Sequence, residues 1–428
     1  MELDTTGVII LVASLALWFI LMMSGAPLYV AFLAAAMPVI FLIAGNGPLF
    51  IGKLAVDSVW SFTLIAIPLF ILLGNVMGSC GATGLLFDLA RAWVGHIHGG
   101  LGMAAIIACA MFGSMCGSAL ATALAVGSIA VPELSKAGYS RETSAAICGS
   151  AGGLGLLIPP SIDFVILGVL LKISVGDLFI AGIVPGLIVT SFLCVACYLW
   201  MRRKKEIKVL ERCSWGERRK ATIRALPLAT LPLAIAGSLW GGICTPTEAA
   251  GVGCFVALLL ARFYFRRFGW NELKTCLSDT IRSSAAIFCI IAGAVIFGRA
   301  LAYVGIPQMA GKNIMALGVG PASFKLLFLG AFFLLGMFFD FFVLIYVALP
   351  PFISALGFYN VPLVPFGVVF VVIAFIGQLT PPVAITLYAA ATGAKASAFG
   401  TIRETPYFLI AWIAAALLFF FVPNIVIY

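Results

Sequence analysis

An acid set among aromatic residues is the first group in this sequence that could do chemistry. Asp340 sits in Gly336-Met337-Phe338-Phe339-Asp340-Phe341-Phe342, flanked by four Phe. An ionisable side chain in so apolar a stretch is costly to keep and points to function by default. The competing account is a structural acid capping a half-helix. A second cluster is Gly113-Ser114-Met115-Cys116-Gly117-Ser118, followed by Ala119, Leu120, Ala121 and Thr122. Small residues let backbones approach and hydroxyls add oxygens, although the same pattern serves plain helix packing. Two Pro-Pro pairs complete the set. Pro159-Pro160 is followed by Ser161 and Asp163; Pro381-Pro382 follows Thr380 and precedes Thr386. Pro removes a backbone donor and frees an upstream carbonyl. Freed carbonyls can strip water from a cation, and helix N-termini attract an anion. Ser161 and Thr380 can add hydroxyl ligands. Asp163 stands equally as an ion or proton site and as a buried helix-start acid.

These groups lie in a chain of 428 residues that is 63% hydrophobic and 10% charged, with mean hydropathy +1.18. Soluble domains carry roughly 25% charge, so a soluble enzyme is excluded. Disorder is excluded by 35 Phe. An all-α polytopic membrane protein remains, with about ten to twelve spans at roughly 20 residues each. The net charge of +9 reports topology before partners, and no nucleic-acid partner is implied. The eleven Cys are scattered through apolar runs and read as small helix residues; the pair Cys194 and Cys197 lacks further ligands nearby. His96 and His98 fit an interfacial connection better than a metal site. The first apolar run lacks a basic flank and reads as a retained span.

Charge-free runs mark the spans: 6–23, 27–45, 59–78, 101–131, 144–162 and 178–200, then 226–242, 249–261, 283–298, 326–339, 341–394 and 405–427. Two are too long for one crossing and hold breakers. Run 101–131 contains Gly113, Gly117 and Gly127; run 341–394 contains Pro350, Pro351, Pro362, Pro365, Pro381 and Pro382. Such interruptions predict re-entrant hairpins and broken helices. The hexapeptides Gly155-Leu156-Leu157-Ile158-Pro159-Pro160 and Gly377-Gln378-Leu379-Thr380-Pro381-Pro382 lie 222 residues apart. The same shift lays 27–45 over 249–267, 59–78 over 281–300, 178–200 over 400–422, and Ser118 over Asp340. The expected organisation is a first repeat over 1–200, a basic connection over 201–225 and a second repeat over 226–428, each repeat with a re-entrant hairpin and a broken helix.

The connection holds Arg202, Arg203, Lys204, Lys205, Lys208, Arg212, Arg218, Arg219, Lys220 and Arg224. By the positive-inside rule it is cytoplasmic. With five crossings and one hairpin per repeat the halves are inverted and the N-terminus is outside. Twenty basic residues, Arg267 among them, then fall inside. Four fall outside: Lys53, Lys172, Lys312 and Lys325. Thr245-Pro246-Thr247-Glu248 reads as helix-capping chemistry.

Inverted repeats with helices broken at mid-membrane are the architecture of secondary transporters. An embedded enzyme would need a catalytic dyad or metal set, and no His-Glu-x-x-His occurs. A channel would need a continuous polar pore, which the apolar runs between the breaks oppose.

At these residues the sequence resembles the large membrane subunit of TRAP (tripartite ATP-independent periplasmic) transporters. The matching stretches are Ala66 through Phe70, Gly113 through Thr122, Gly155 through Ile162, Ala181 through Gly186, Thr245 through Ala250, Gly336 through Asp340, and Gly377 through Pro382. The resemblance implies an ion-transporter superfamily fold of the elevator type in a bacterial inner membrane. It implies sodium as the coupling ion and no other cofactor. It also implies two partners, a small four-helix membrane subunit and a periplasmic substrate-binding protein that delivers an organic acid. Residues and resemblance together assign Cys116, Gly117, Ser118, Gly336, Asp340 and Thr380 to ions. They assign Ser114, Thr122, Pro160, Ser161, Asp163 and Pro381 to the solute. The sequence departs from the family pattern at Cys116, where Ser is frequent, at Ala119, at Asp163, in the aromatic set around Asp340, and at Ala384, where Gly is common. A thiol is a poor sodium ligand. The alternative is a stand-alone sodium- or proton-coupled carboxylate transporter of the same fold, working without a binding protein.

Overall fold

The computed structural model describes residues 5–204, 207–266, 268–316 and 318–426. Lys205 and Arg267, counted above toward the inner side, lie outside them. In lipid each backbone N–H and C=O must pair within its own segment, so long uncharged runs fold as helices. Regular structure among the described residues is helical throughout.

The first half comprises α1 (Thr5–Met23), α2 (Leu28–Pro38, continued by a π-helical turn Val39–Ile43), α3 (Pro48–Val59), α4 (Ala66–Ser79), α5 (Ala82–Val94), α6 (Gly100–Cys116), α7 (Ala119–Lys136), α8 (Arg141–Gly152), α9 (Leu154–Leu157), α10 (Ile162–Leu171) and α11 (Val175–Met201). The second comprises α12 (Trp215–Trp240), α13 (Pro246–Leu259, with a π-helical turn Leu260–Phe265), α14 (Trp270–Tyr303), α15 (Ile306–Ala316), α16 (Pro321–Gly336), α17 (Phe341–Val343, with a π-helical turn Leu344–Ala348), α18 (Pro350–Phe358), α19 (Leu363–Leu379), α20 (Ile385–Ala394), α21 (Ala398–Glu404) and α22 (Pro406–Phe421).

Among the described residues seven helices are long and apolar enough to cross a membrane, or ten if each of three bent pairs is one span. Arg141–Leu157 and Ile162–Leu171 meet at 43°, Phe341–Ala348 and Pro350–Phe358 at 62°, Ala398–Glu404 and Pro406–Phe421 at 52°. The upper figure meets the low end of the span count expected from sequence. The shortfall lies in short apolar helices such as α6 and α19. At 1.5 Å per residue each covers about 25 Å, less than the hydrocarbon core.

Element bounds recur at the 222-residue shift: α6 with α16, α10 with α20, and the π-helical turn after α2 with that after α13. The two cis peptide bonds, Pro159-Pro160 and Pro381-Pro382, lie at the same shift. Packing is exchanged between halves. Helix α2 lies on α14 and α13 on α4; α10 touches the π-helical turn after α17, and α20 lies on α7. One departure is local. Helices α3 and α4 are parted by a 3-10 turn at Phe62–Ile65, while α14 runs unbroken. Pro68 lies at the start of α4, and its counterpart in α14 is Ile290.

Two sequence expectations shift. Gly127 breaks nothing and lies inside α7. The basic connection is shorter than 201–225, because α12 starts at Trp215 on a capping box: the Glu217 amide donates to Ser214 Oγ at 3.3 Å and the Ser214 amide to Glu217 Oε2 at 2.7 Å. Arg218, Arg219, Lys220 and Arg224 are therefore helical. Their charges mimic a loop, but Arg218 is buried with its guanidinium 5.6 and 5.4 Å from the Trp93 and Trp215 ring centres. At Thr245 the expected cap is present: the Thr245 amide donates to Glu248 Oε2 at 2.8 Å.

Candidate binding site at the hairpin tips

Helix α6 ends at Cys116 because Gly117 takes a left-handed conformation, φ +65°, which a residue without Cβ adopts freely. Ser118 then caps α7, its Oγ accepting from the Ala121 amide at 3.4 Å. The tip is gripped by the first broken helix, since the Ile162 amide donates to the Gly117 carbonyl at 3.2 Å. No Cβ fits there: one on Gly117 would lie 2.8 Å from the Pro160 carbonyl oxygen. On Gly113 it would lie 2.7 Å from Gly155 Cα, and on Gly155 2.5 Å from Thr122 Oγ1. Fully buried Ser161 caps α10, accepting from the Phe164 amide at 3.3 Å.

The hydroxyls are partly committed. Cys116 Sγ lies 3.0 Å from Thr122 Oγ1, both turned into the hairpin. Ser114 Oγ donates to the Met111 carbonyl at 2.7 Å, and Thr380 Oγ1 to the Ile376 carbonyl at 2.7 Å. The structure thus gathers Ser114, Cys116, Gly117, Ser118, Thr122, Pro160 and Ser161 at one tip.

The second tip is separate. Half-buried Asp340 precedes α17 and faces the backbone amides of Phe341 and Phe342. A Cβ on Gly377 would lie 2.6 Å from Gly336 Cα, so the second hairpin rests on the second break. Thr380 and Pro381 belong there. Pro381 and Pro382 are exposed, whereas Pro160 and Ser161 are buried, so the second break is the more open. Beside it, buried Gln378 Nε2 and Thr386 Oγ1 find no partner among the described residues. Ala384 holds φ +42°, a left-handed conformation that a glycine would adopt more freely. Asp163 starts α10 at 7% exposed, and α10 also touches the π-helical turn after α17.

A cavity of about 560 Å³ opens beside the first tip, with Cys116, Ser118 and Ala121 on one wall and Asn75, Ser79 and Ser283 opposite. Asn75 Nδ2 donates to Thr280 Oγ1 at 3.0 Å, joining α4 to α14. Gly74 lets α4 reach the tip, since a Cβ there would lie 2.6 Å from Cys116 Cβ. Sequence reasoning missed this wall. Its available signal was an amide alone in the apolar run 59–78.

Bent helices, two gripped turns and a cavity at their side define a multi-span membrane permease. The chain belongs to the DctM component family of the tripartite ATP-independent periplasmic transporters, whose pattern it matches over residues 15–425. It is a permease for solute uptake and not an enzyme. It is 35% identical over 366 residues to the C4-dicarboxylate TRAP transporter large permease protein DctM of Pseudomonas aeruginosa, covering 85% of each chain. It is 32% identical over 366 residues to the ectoine TRAP transporter large permease protein TeaC of Halomonas elongata, covering 86% of each. Its fold is similar to the crystal structure of the Alcanivorax borkumensis YdaH transporter, with TM-score 0.64, 14% identity, and 93% and 98% of the two chains covered.

Proposed function

We propose that this chain is the large membrane subunit of a sodium-coupled importer for an organic acid. The acid is captured outside the bacterial inner membrane by a periplasmic binding protein and handed to the cavity beside the first hairpin. A small four-helix subunit extends the scaffold. Residues 1–200 and 226–428 form two inverted repeats, the N-terminus is periplasmic, and the two hairpins with their broken helices travel as an elevator against α4 and α14. The observation that carries this is the grip on the first tip: the Ile162 amide on the Gly117 carbonyl at 3.2 Å, beside a cavity of about 560 Å³. It makes hairpin and broken helix one rigid unit. It also leaves the N-terminus of α7, capped by Ser118, beside the cavity, where an anionic solute is favoured. The unpartnered Gln378 and Thr386 atoms give the second break donors for a ligand. The exchanged packing of α2 on α14 and α13 on α4 suits the inverted repeat.

The test is uptake into proteoliposomes holding this chain and its small subunit, with candidate organic acids, with and without a sodium gradient and the binding protein. Uptake that needs both supports the proposal. Uptake without the binding protein favours a stand-alone transporter, and uptake indifferent to sodium removes the coupling ion.

A further inference from the structure

Arg218 is the one basic residue buried among the described residues, at 5% exposed. Its Nε and Nη2 atoms are enclosed without a hydrogen-bond partner, and no acid of the described residues is ion-paired with it. The neighbouring acids are committed or turned outward. Glu217 Oε2 accepts from the Ser214 amide at 2.7 Å and from Ser214 Oγ at 2.9 Å. Glu133 pairs with Arg91 and Lys136, and Asp88 on α5 is exposed. A guanidinium keeps its charge at any ordinary pH, so a permanent cation is held away from water with no anion beside it, which is costly.

The surroundings form a built cage. The Trp93 and Trp215 rings lie 5.6 and 5.4 Å from the guanidinium and meet edge to face at 6.1 Å. Trp93 Nε1 donates to Thr222 Oγ1 at 3.1 Å, and Thr222 Oγ1 donates to the Arg218 carbonyl at 2.8 Å, which fixes one ring between α5 and α12. Ring faces attract the charge but leave the planar N–H fork without acceptors, and that fork matches two oxygens of one phosphate. The place selects the anion. Arg218 stands about two turns before the uncharged run 226–242 of its own helix. Both Trp are exposed, as in the aromatic belt where a bilayer meets water. Past exposed Arg219 on the same helix, Ile223, Leu226 and Leu233 present an apolar stripe along which acyl chains can lie.

We propose that Arg218, in its cage of Trp93 and Trp215, binds the phosphodiester of an anionic phospholipid. A headgroup that carries its own ammonium neutralises its phosphate and leaves the guanidinium unpaired; an anionic one supplies the missing charge. The bound lipid braces α12 against α5, the helix that leads into the first hairpin. This goes beyond the transport proposal and depends on neither the coupling ion nor the solute.

The test is the thermal unfolding midpoint of the purified chain in phosphatidylcholine nanodiscs into which phosphatidylglycerol is titrated. For the wild type, phosphatidylglycerol raises the midpoint to a plateau. In Arg218→Gln the half-saturating fraction rises at least fivefold, and in phosphatidylcholine alone this variant unfolds no earlier than the wild type, because it carries no unpaired charge. Arg219→Gln changes the half-saturating fraction less than twofold. A response of Arg218→Gln equal to that of the wild type overturns the inference, as does an equal loss in Arg219→Gln, which would mean diffuse surface charge. The same rise produced by inorganic phosphate in pure phosphatidylcholine would make the ligand a free ion and overturn the lipid. Loss of the wild-type response once the small subunit is bound would assign Arg218 to an acid of that partner and overturn it too. Should Arg218→Gln not be recovered folded, Arg218→Lys keeps the charge without the fork, and native mass spectrometry counts the phosphatidylglycerol retained by each chain. One lipid fewer on the lysine variant supports the site; equal occupancy overturns it.

Discussion

The amide of Ile162 and the carbonyl of Gly117 are hydrogen-bonded at 3.2 Å, although they are 45 positions apart in the chain. Each group comes from an interruption, one from a hairpin turn and one from the start of a half-helix. Each would otherwise be an orphan in a membrane. The bond makes two breaks answer one another, and it depends on the missing side chain of Gly117.

Gly117→Ala therefore strikes both ends. The left-handed backbone and a Cβ 2.8 Å from the Pro160 carbonyl oxygen would cost about 1–3 kcal/mol, in line with strained non-glycine conformations. Lower thermal stability with abolished uptake is expected. A variant as stable and active as the wild type would refute the grip.

Ser161→Ala removes a fully buried cap. Losing it costs about 1 kcal/mol of stability, and uptake falls further than the folded amount does, because the start of α10 loosens beside the tip. Ser161→Thr keeps most of both. Asp340→Ala, which leaves the amides of Phe341 and Phe342 without their acid, also cuts uptake sharply at normal expression. Unchanged uptake in both alanine variants would remove the site assignment.

Asn75→Ala opens the scaffold wall of the cavity. The lost bond to Thr280 costs about 1 kcal/mol. If the solute uses this wall, its half-saturating concentration for uptake rises roughly tenfold, equivalent to about 1.4 kcal/mol of binding. A variant with reduced stability and an unaltered half-saturating concentration would confine Asn75 to joining α4 and α14.

Ala384→Gly should stabilise the protein. A non-glycine residue in the left-handed region costs about 1–2 kcal/mol, and φ here is +42°. Part of that gain is offset by the freer unfolded chain, about 0.4–1 kcal/mol. A small upward shift of the unfolding midpoint is the expected result, and a downward shift contradicts it.

Much of this was legible in one dimension, because lipid leaves a backbone few choices. Charge-free runs had to be helices, Gly117 and the two Pro-Pro pairs inside them fall at breaks while Gly127 does not, and element bounds recur at the 222-residue shift of the two hexapeptides. The first-tip cluster was legible for the same reason, as small residues and Pro-Pro pairs have few uses within a membrane. Other features were not. Arg218 looked like loop charge until two Trp rings from α5 and α12 enclosed it. Asn75 looked like a stray amide until α4 and α14 crossed and set it facing Ser118. Asp163 and Asp340 are 177 residues apart, and nothing in their neighbours announces that α10 packs on the turn after α17. Local rules decide where a chain bends and what it can bury, and the sequence alone determined those. Which bends meet depends on how the two halves exchange helices, and only the tertiary structure decided that.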